Sequence, residues 1–152
     1  SKTATHSASL CAADSPVMQM RTGSAIIKLT ANGMLQSLNG STFHRLNPLV
    51  MIVRLVYNTT DKKFTAQLAV YNPLGKSVSA NRTAEGACTI THNLGNASHS
   101  LIGTARGNQG GKTLALSVQS IGATQDTFTT ADDNTNNDFV EAWLHFYDYK
   151  AY

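Results

Sequence analysis

Turn signals come so close together in this chain that long helices have no room to form. Asn32-Gly33, Asn39-Gly40, Asn58 to Asp61, Asn72 to Gly75, Asn93 to Gly95 and Gly107 to Gly111 each bring Asn or Gly, the residues that tolerate the positive φ of tight turns. The segments between them are strand-like. Leu49 to Tyr57 is a continuous β-branched and apolar run bounded by Pro48 and Asn58, as a central strand requires. Phe64 to Val70 and Leu114 to Gln119 alternate apolar and polar residues, so each is expected to be a strand with one face in the core. Ala25 to Thr30, Met34 to Leu38, Ala87 to His92, Ser100 to Ala105 and Val140 to Tyr149 complete the expected strands. No segment carries a helical apolar stripe of three turns. The expected fold is therefore an all-β, antiparallel β-sandwich of the jelly-roll or Ig-like kind, in a single domain over residues 1–152.

Composition narrows the setting. Only 14% of the 152 residues are charged, well under the roughly 25% usual in soluble domains, and Ser, Thr, Asn and Gly fill the difference. Such a surface suits a protein working outside a cytoplasm or in a particle. The net charge of +3 is uneven, because Asp126, Asp132, Asp133, Asp138, Glu141 and Asp148 place most of the acid near the end. Lys and Arg are scattered singly, with no stripe that would track a nucleic-acid backbone. No apolar run reaches about 18 residues, so membrane insertion is not expected, and Ser1 to Ser9 has no signal-peptide core.

The chemistry-bearing motifs are sparse, and no enzyme activity, metal or cofactor is expected. Gly107 to Thr113 (GNQGGKT) resembles a phosphate-binding loop one residue short, and it leads into a strand where that loop must open a helix. The histidines His6, His44, His92, His99 and His145 show no metal-ligand spacing; His92 and His99 flank one turn and are expected to be solvated there. Asp132 and Asp133 lie in TTADDNTNND, expected to be a solvated polar loop whose oxygens match no calcium motif. Cys11 and Cys88 fit one disulfide of an exported protein or two buried thiols equally well. The last expected strand is apolar on both faces: Val140, Ala142, Leu144 and Phe146 alternate with Trp143, His145, Tyr147 and Tyr149. The second set is expected to be covered, by another layer or by a neighbouring subunit.

The order of these features resembles the head of adenovirus fibre proteins. Such heads open on Leu-Trp and then Asp-Pro-Ser-Pro, where this chain has Ser9-Leu10-Cys11 and then Asp14-Ser15-Pro16. The strand and turn Ile27 to Gly33, the apolar run Leu49 to Arg54 and the aromatic final strand follow in the same order. The resemblance implies a homotrimeric head at the tip of a virion spike, attaching to a host cell-surface protein or sialylated glycan. It also implies that Cys11 and Cys88 are not the main staple of the fold, since such proteins assemble in a reducing interior. Trp143, His145, Tyr147 and Tyr149 would then help cover the subunit interface. The rival is a bacterial chaperone-usher fimbrial subunit or adhesin at the cell surface, with Ser1 to Leu10 as a strand lent to the next subunit.

Overall fold

The computed structural model describes residues 18–152, and among them there is no helix, hence none long and apolar enough to cross a membrane. Cys11 and the Ser9 to Pro16 segment lie outside the described residues. The chain is all-β and antiparallel, as its turn spacing requires. It divides into two compact units: Leu49–Tyr147, and the residues up to Pro48 together with Asp148–Tyr152. No break in composition marks this division at Pro48 or Asp148.

In the smaller unit, β1 (Met18–Thr22), β2 (Ala25–Thr30), β3 (Gly33–Ser37) and β4 (His44–Arg45) form an antiparallel sheet in chain order. Ile26, Leu35 and Phe43 make a small core against which Tyr152 packs. So little apolar area needs polar support. Arg45 supplies it, donating from Nε to Asp148 at 2.6 Å, to the Asn32 carbonyl, and to the Tyr152 hydroxyl at 2.7 Å. Tyr152 in turn donates to Asp148 at 2.5 Å.

The larger unit holds β5 (Leu49–Asn58), β6 (Lys63–Tyr71), β7 (Ser79–Ala84), β8 (Ala87–Thr91), β9 (His99–Arg106), β10 (Thr113–Ile121), β11 (Gln125–Asp132), β12 (Thr135–Asn136) and β13 (Glu141–Asp148). Its sheet runs β6-β5-β13-β9-β10-β11-β8-β7, with β12 on β11. The final strand β13 therefore inserts between β5 and β9 and joins the hairpins on either side. The sheet curls until its two end strands meet, where the Gln67 side chain accepts the Ala80 amide at 2.6 Å. Inward residues from every part of it form one core, including Met51, Val53 and Leu55 of β5, Ile90, Phe128, and Leu144 and Phe146 of β13. The outward Arg54, alone in the apolar run, pairs with Glu141 at 2.6 Å and lies 5.8 Å from the Trp143 ring.

Two alternating segments behave differently from their pattern, the first because of a β-bulge. In β6 the register slips between Val56 and Tyr57, so that Phe64 opposite Tyr57 faces the core, but Leu68 opposite Arg54 faces out. Leu68 and Val70 are about half exposed as a result. In β10 only Leu114 is fully buried; Leu116 is partly covered and Val118 exposed, which corrects the expectation that Leu114 to Gln119 turns one whole face into the core. The polar loop expected at TTADDNTNND is instead the end of β11, a turn and β12. Asp133 and Asn134 take φ of 45° and 64° between the paired Asp132 and Thr135, the two positive values a type I′ hairpin needs.

Candidate functional site: a buried His-Asp-His cluster and a basic seam

Strand β11 reads as polar, yet it lies inside the sheet between β10 and β8. Its inward residues are Asp126, Phe128 and Thr130, all essentially unexposed. A buried carboxylate needs charge-matched donors. Asp126 finds three: His92 Nε2 at 3.1 Å, His99 Nε2 at 2.7 Å and the Gly122 amide at 3.1 Å. The two histidines are therefore buried partners rather than solvated turn residues, which corrects the sequence expectation. Their rings meet edge to face at 4.7 Å and pack on Phe146.

The hydrogen bonds assign the protons. Leu94 N–H donates to His92 Nδ1 at 3.0 Å, so that nitrogen is bare and the His92 proton sits on Nε2, facing Asp126. His99 Nδ1 lies 2.9 Å from the Asn96 carbonyl, which only accepts, so Nδ1 carries a proton. Burial pushes the Asp126 carboxyl up, but the bonds from His92, His99 and Gly122 and the His99 charge more than offset this and hold it at about 2. An ionised Asp126 requires a proton on His99 Nε2 as well. The cluster is thus a neutral His92, an imidazolium His99 and a carboxylate between them.

The three side chains converge closely enough to raise the question of a metal, their ligand atoms lying within 4.8 Å of one another. The donor set does not fit one. A ligating His92 Nε2 would force the ring proton onto Nδ1, against the Leu94 N–H, whereas metal-bound imidazoles donate from that second nitrogen. Complete burial also leaves no open coordination position of the kind a catalytic metal keeps. The arrangement suits a structural ion pair that ties β8, β9 and β11 together.

A second constellation lies at the seam where β6 and β7 close the sheet. A depression of about 370 Å³ is lined there by Lys62, Lys63 and Arg82, the amides of Gln67 and Asn81, and the rings of Tyr57 and Phe64. It has three cations in its lining and no acid. Asp138 is buried and is held by Arg82 Nε at 2.9 Å, the Gly86 amide at 2.9 Å and Lys62 Nζ at 3.5 Å, and the Glu85 charge also acts on Arg82. Burial raises the Asp138 carboxyl and these partners bring it below its ordinary range. Tyr57 is 4% exposed, and its buried hydroxyl has no hydrogen-bond partner among the described residues. On the far side of Lys62 lies a second depression of about 290 Å³, bordered by Asn108, Gln109 and Lys112, the last paired with Asp132 at 2.6 Å.

The residues singled out from the sequence fall elsewhere. Trp143, His145 and Tyr147 stand half-buried on the outer face of β13, opposite Ala142, Leu144 and Phe146 in the core, and Tyr149 is 53% exposed. Gly107 to Gly111 forms the turn joining β9 to β10, with Gly107 N–H donating to the Lys112 carbonyl at 2.7 Å. Cys88 is buried and its thiol is pushed up to about 12 by that burial, which keeps it protonated and unreactive. Asp126 had one legible signal: it falls two residues before Phe128, on the inward phase of a strand. The basic seam had none, since Lys62 and Arg82 are twenty residues apart and meet only by closure of the sheet. Comparison with family models, curated proteins and solved structures finds no match in any of the three.

Proposed function

We propose that this chain is the receptor-binding head of a surface fibre or spike, working as a homotrimer on a virion and attaching to a host cell-surface protein or glycan. The observation that carries the reading is the basic seam: cations, amides and aromatic rings gathered in one open depression, with no acid in its lining. That composition recognises a ligand without offering a nucleophile, a paired general base or a metal. The buried Asp126, Asp138 and Asp148 support the same reading, each being engaged by donors that hold the fold together. The low charge and long polar turns suit an exposed, particle-borne surface.

The test is binding of fluorescently labelled protein to cultured cells by flow cytometry. Saturable binding that falls at least tenfold in the Lys62→Glu, Lys63→Glu double variant is expected; unsaturable binding, or binding untouched by the double variant, overturns the reading. A chaperone-usher fimbrial subunit is the second reading, favoured by the two sheet ends: β6 and β7 each pair on one side only, and such edges accept an added strand. Native mass separates the two, a closed trimer supporting the head and a head-to-tail series the fimbrial subunit.

A further inference from the structure

We infer that the buried His92-Asp126-His99 cluster is a pH-sensitive latch on the surface turn between β8 and β9: a doubly protonated His99 holds the turn down, and loss of one ring proton as pH rises releases residues 96–98. The latch does not depend on what the protein attaches to. Its basis is where the cluster directs its outward hydrogen bonds, for each member reaches turn backbone. His92 Nδ1 accepts the Leu94 amide at 3.0 Å, His99 Nδ1 donates to the Asn96 carbonyl at 2.9 Å, and Asp126 accepts the Gly122 amide at 3.1 Å. Leu94 and Asn96 lie in the turn between β8 and β9, and Gly122 in the turn between β10 and β11. A charge state set in the core is thereby coupled to backbone at the surface, where Gly95, Ala97 and Ser98 are exposed.

The two halves of the β8–β9 turn are held unequally. In the first, the His92 and Asn93 amides donate to the Thr124 carbonyl, the Gly95 amide to the Ala123 carbonyl at 2.8 Å, and Asn93 Nδ2 to the Ser77 carbonyl at 2.9 Å. In the second, residues 96–98 are bonded to the rest of the described residues through His99 alone, since the Ser98 amide donates to Asn96 Oδ1 within the turn. A His99 with one proton cannot serve both of its partners. With that proton on Nδ1, a bare Nε2 would face Asp126 at 2.7 Å, and a buried carboxylate would lose its shortest donor. With the proton on Nε2, a bare Nδ1 faces the Asn96 carbonyl, and that carbonyl can turn out to water at little cost. The second arrangement is the cheaper, so the core pair survives and the turn yields. The titratable groups facing His99 are Asp126 from β11 and His92 from β8; β13 presents Phe146 and carries His145 and Tyr147 on its other face. With His92 already neutral, the second His99 proton is the one whose loss acts on the turn.

NMR of the whole isotope-labelled chain, titrated upward from mildly acid to alkaline pH, tests this by following the histidine ring nitrogens and the backbone together. Expected is one shared midpoint at which the His99 ring passes from two protons to Nε2 alone and the Asn96 carbonyl and Ala97 amide resonances move. Residues 96–98 should gain fast backbone motion above that midpoint and lose it again on return to acid, while the Gly95 and Ala123 resonances and the β-sheet circular dichroism stay as they were. Four results overturn the inference: turn resonances that hold still while His99 titrates, a turn midpoint different from that of the ring, unfolding of the whole molecule at the His99 midpoint, or a His99 ring with a single protonation state throughout.

Discussion

Asp126 shows what a single buried charge can demand of its neighbours. Its two oxygens take three donors, and one of these, His99, must be an imidazolium because its other nitrogen already donates to Asn96. Nitrogen-detected NMR of the histidine rings at neutral pH should therefore find His99 protonated on both nitrogens and His92 on Nε2 alone. A neutral His99 would refute the assignment. The pH dependence follows in sign. With its carboxyl held at about 2 against an ordinary value near 3.8, Asp126 stabilises the fold fully above about pH 4, and that contribution is lost as pH falls towards 2. The loss is on the order of 2 kcal/mol. Asp138 and Asp148, also lowered, add to it in the same direction. Replacing Asp126→Asn should cost about 3–5 kcal/mol at pH 7 by stranding the His99 charge, read by chemical denaturation, and should flatten the acid limb. A variant as stable as the parent would mean the cluster holds nothing together.

Among the elements, the β7–β8 turn is the most tightly constrained. Gly86 has φ +62°, and a Cβ there would lie 2.5 Å from both the Asn137 nitrogen and the Thr130 carbonyl oxygen. These are backbone atoms, so relief would require the neighbouring strand to move. Its own amide and carbonyl are committed as well, to Asp138 and to Thr130. Gly86→Ala combines left-handed strain with overpacking and should cost about 3 kcal/mol or more. A loss under about 1 kcal/mol in urea unfolding would show that the approach is looser than this. Strand β10 gives the complementary comparison: Leu114→Ala, at 3% exposure, should cost about 2–5 kcal/mol, and Leu116→Ala clearly less. If the two cost the same, the register of β10 is not the one described.

For the whole molecule, the open question is assembly. Trp143, His145 and Tyr147 are half-buried on the outer face of β13 and Tyr149 is exposed. In the proposed trimer they contribute to the subunit interface, where large rings with a polar edge are favoured. Sedimentation at micromolar concentration should then give a three-fold particle, and Trp143→Ser with Tyr147→Ser should shift it to monomers before unfolding it. A monomeric wild type would end the trimer proposal. Multivalency would follow from the trimer, since three weak seam sites combine into firm attachment to a cell surface.

How much of this could be read beforehand depends on the range of the interaction involved. Local signals sufficed for the all-β class and for β2, β5, β8, β9 and β13, because turn chemistry and apolar runs act within a few residues. They failed at β11, whose buried Asp126 and Thr130 look like loop residues until His92, His99 and the Asn137 carbonyl are brought beside them. They failed also at the phase of β6, which a bulge resets, and at the seam, where Lys62 and Arg82 become neighbours only when β6 meets β7. Periodicity states which residues prefer to leave water. Which polar residues can join them inside is decided by partners far along the chain, and only the closed sheet supplies those.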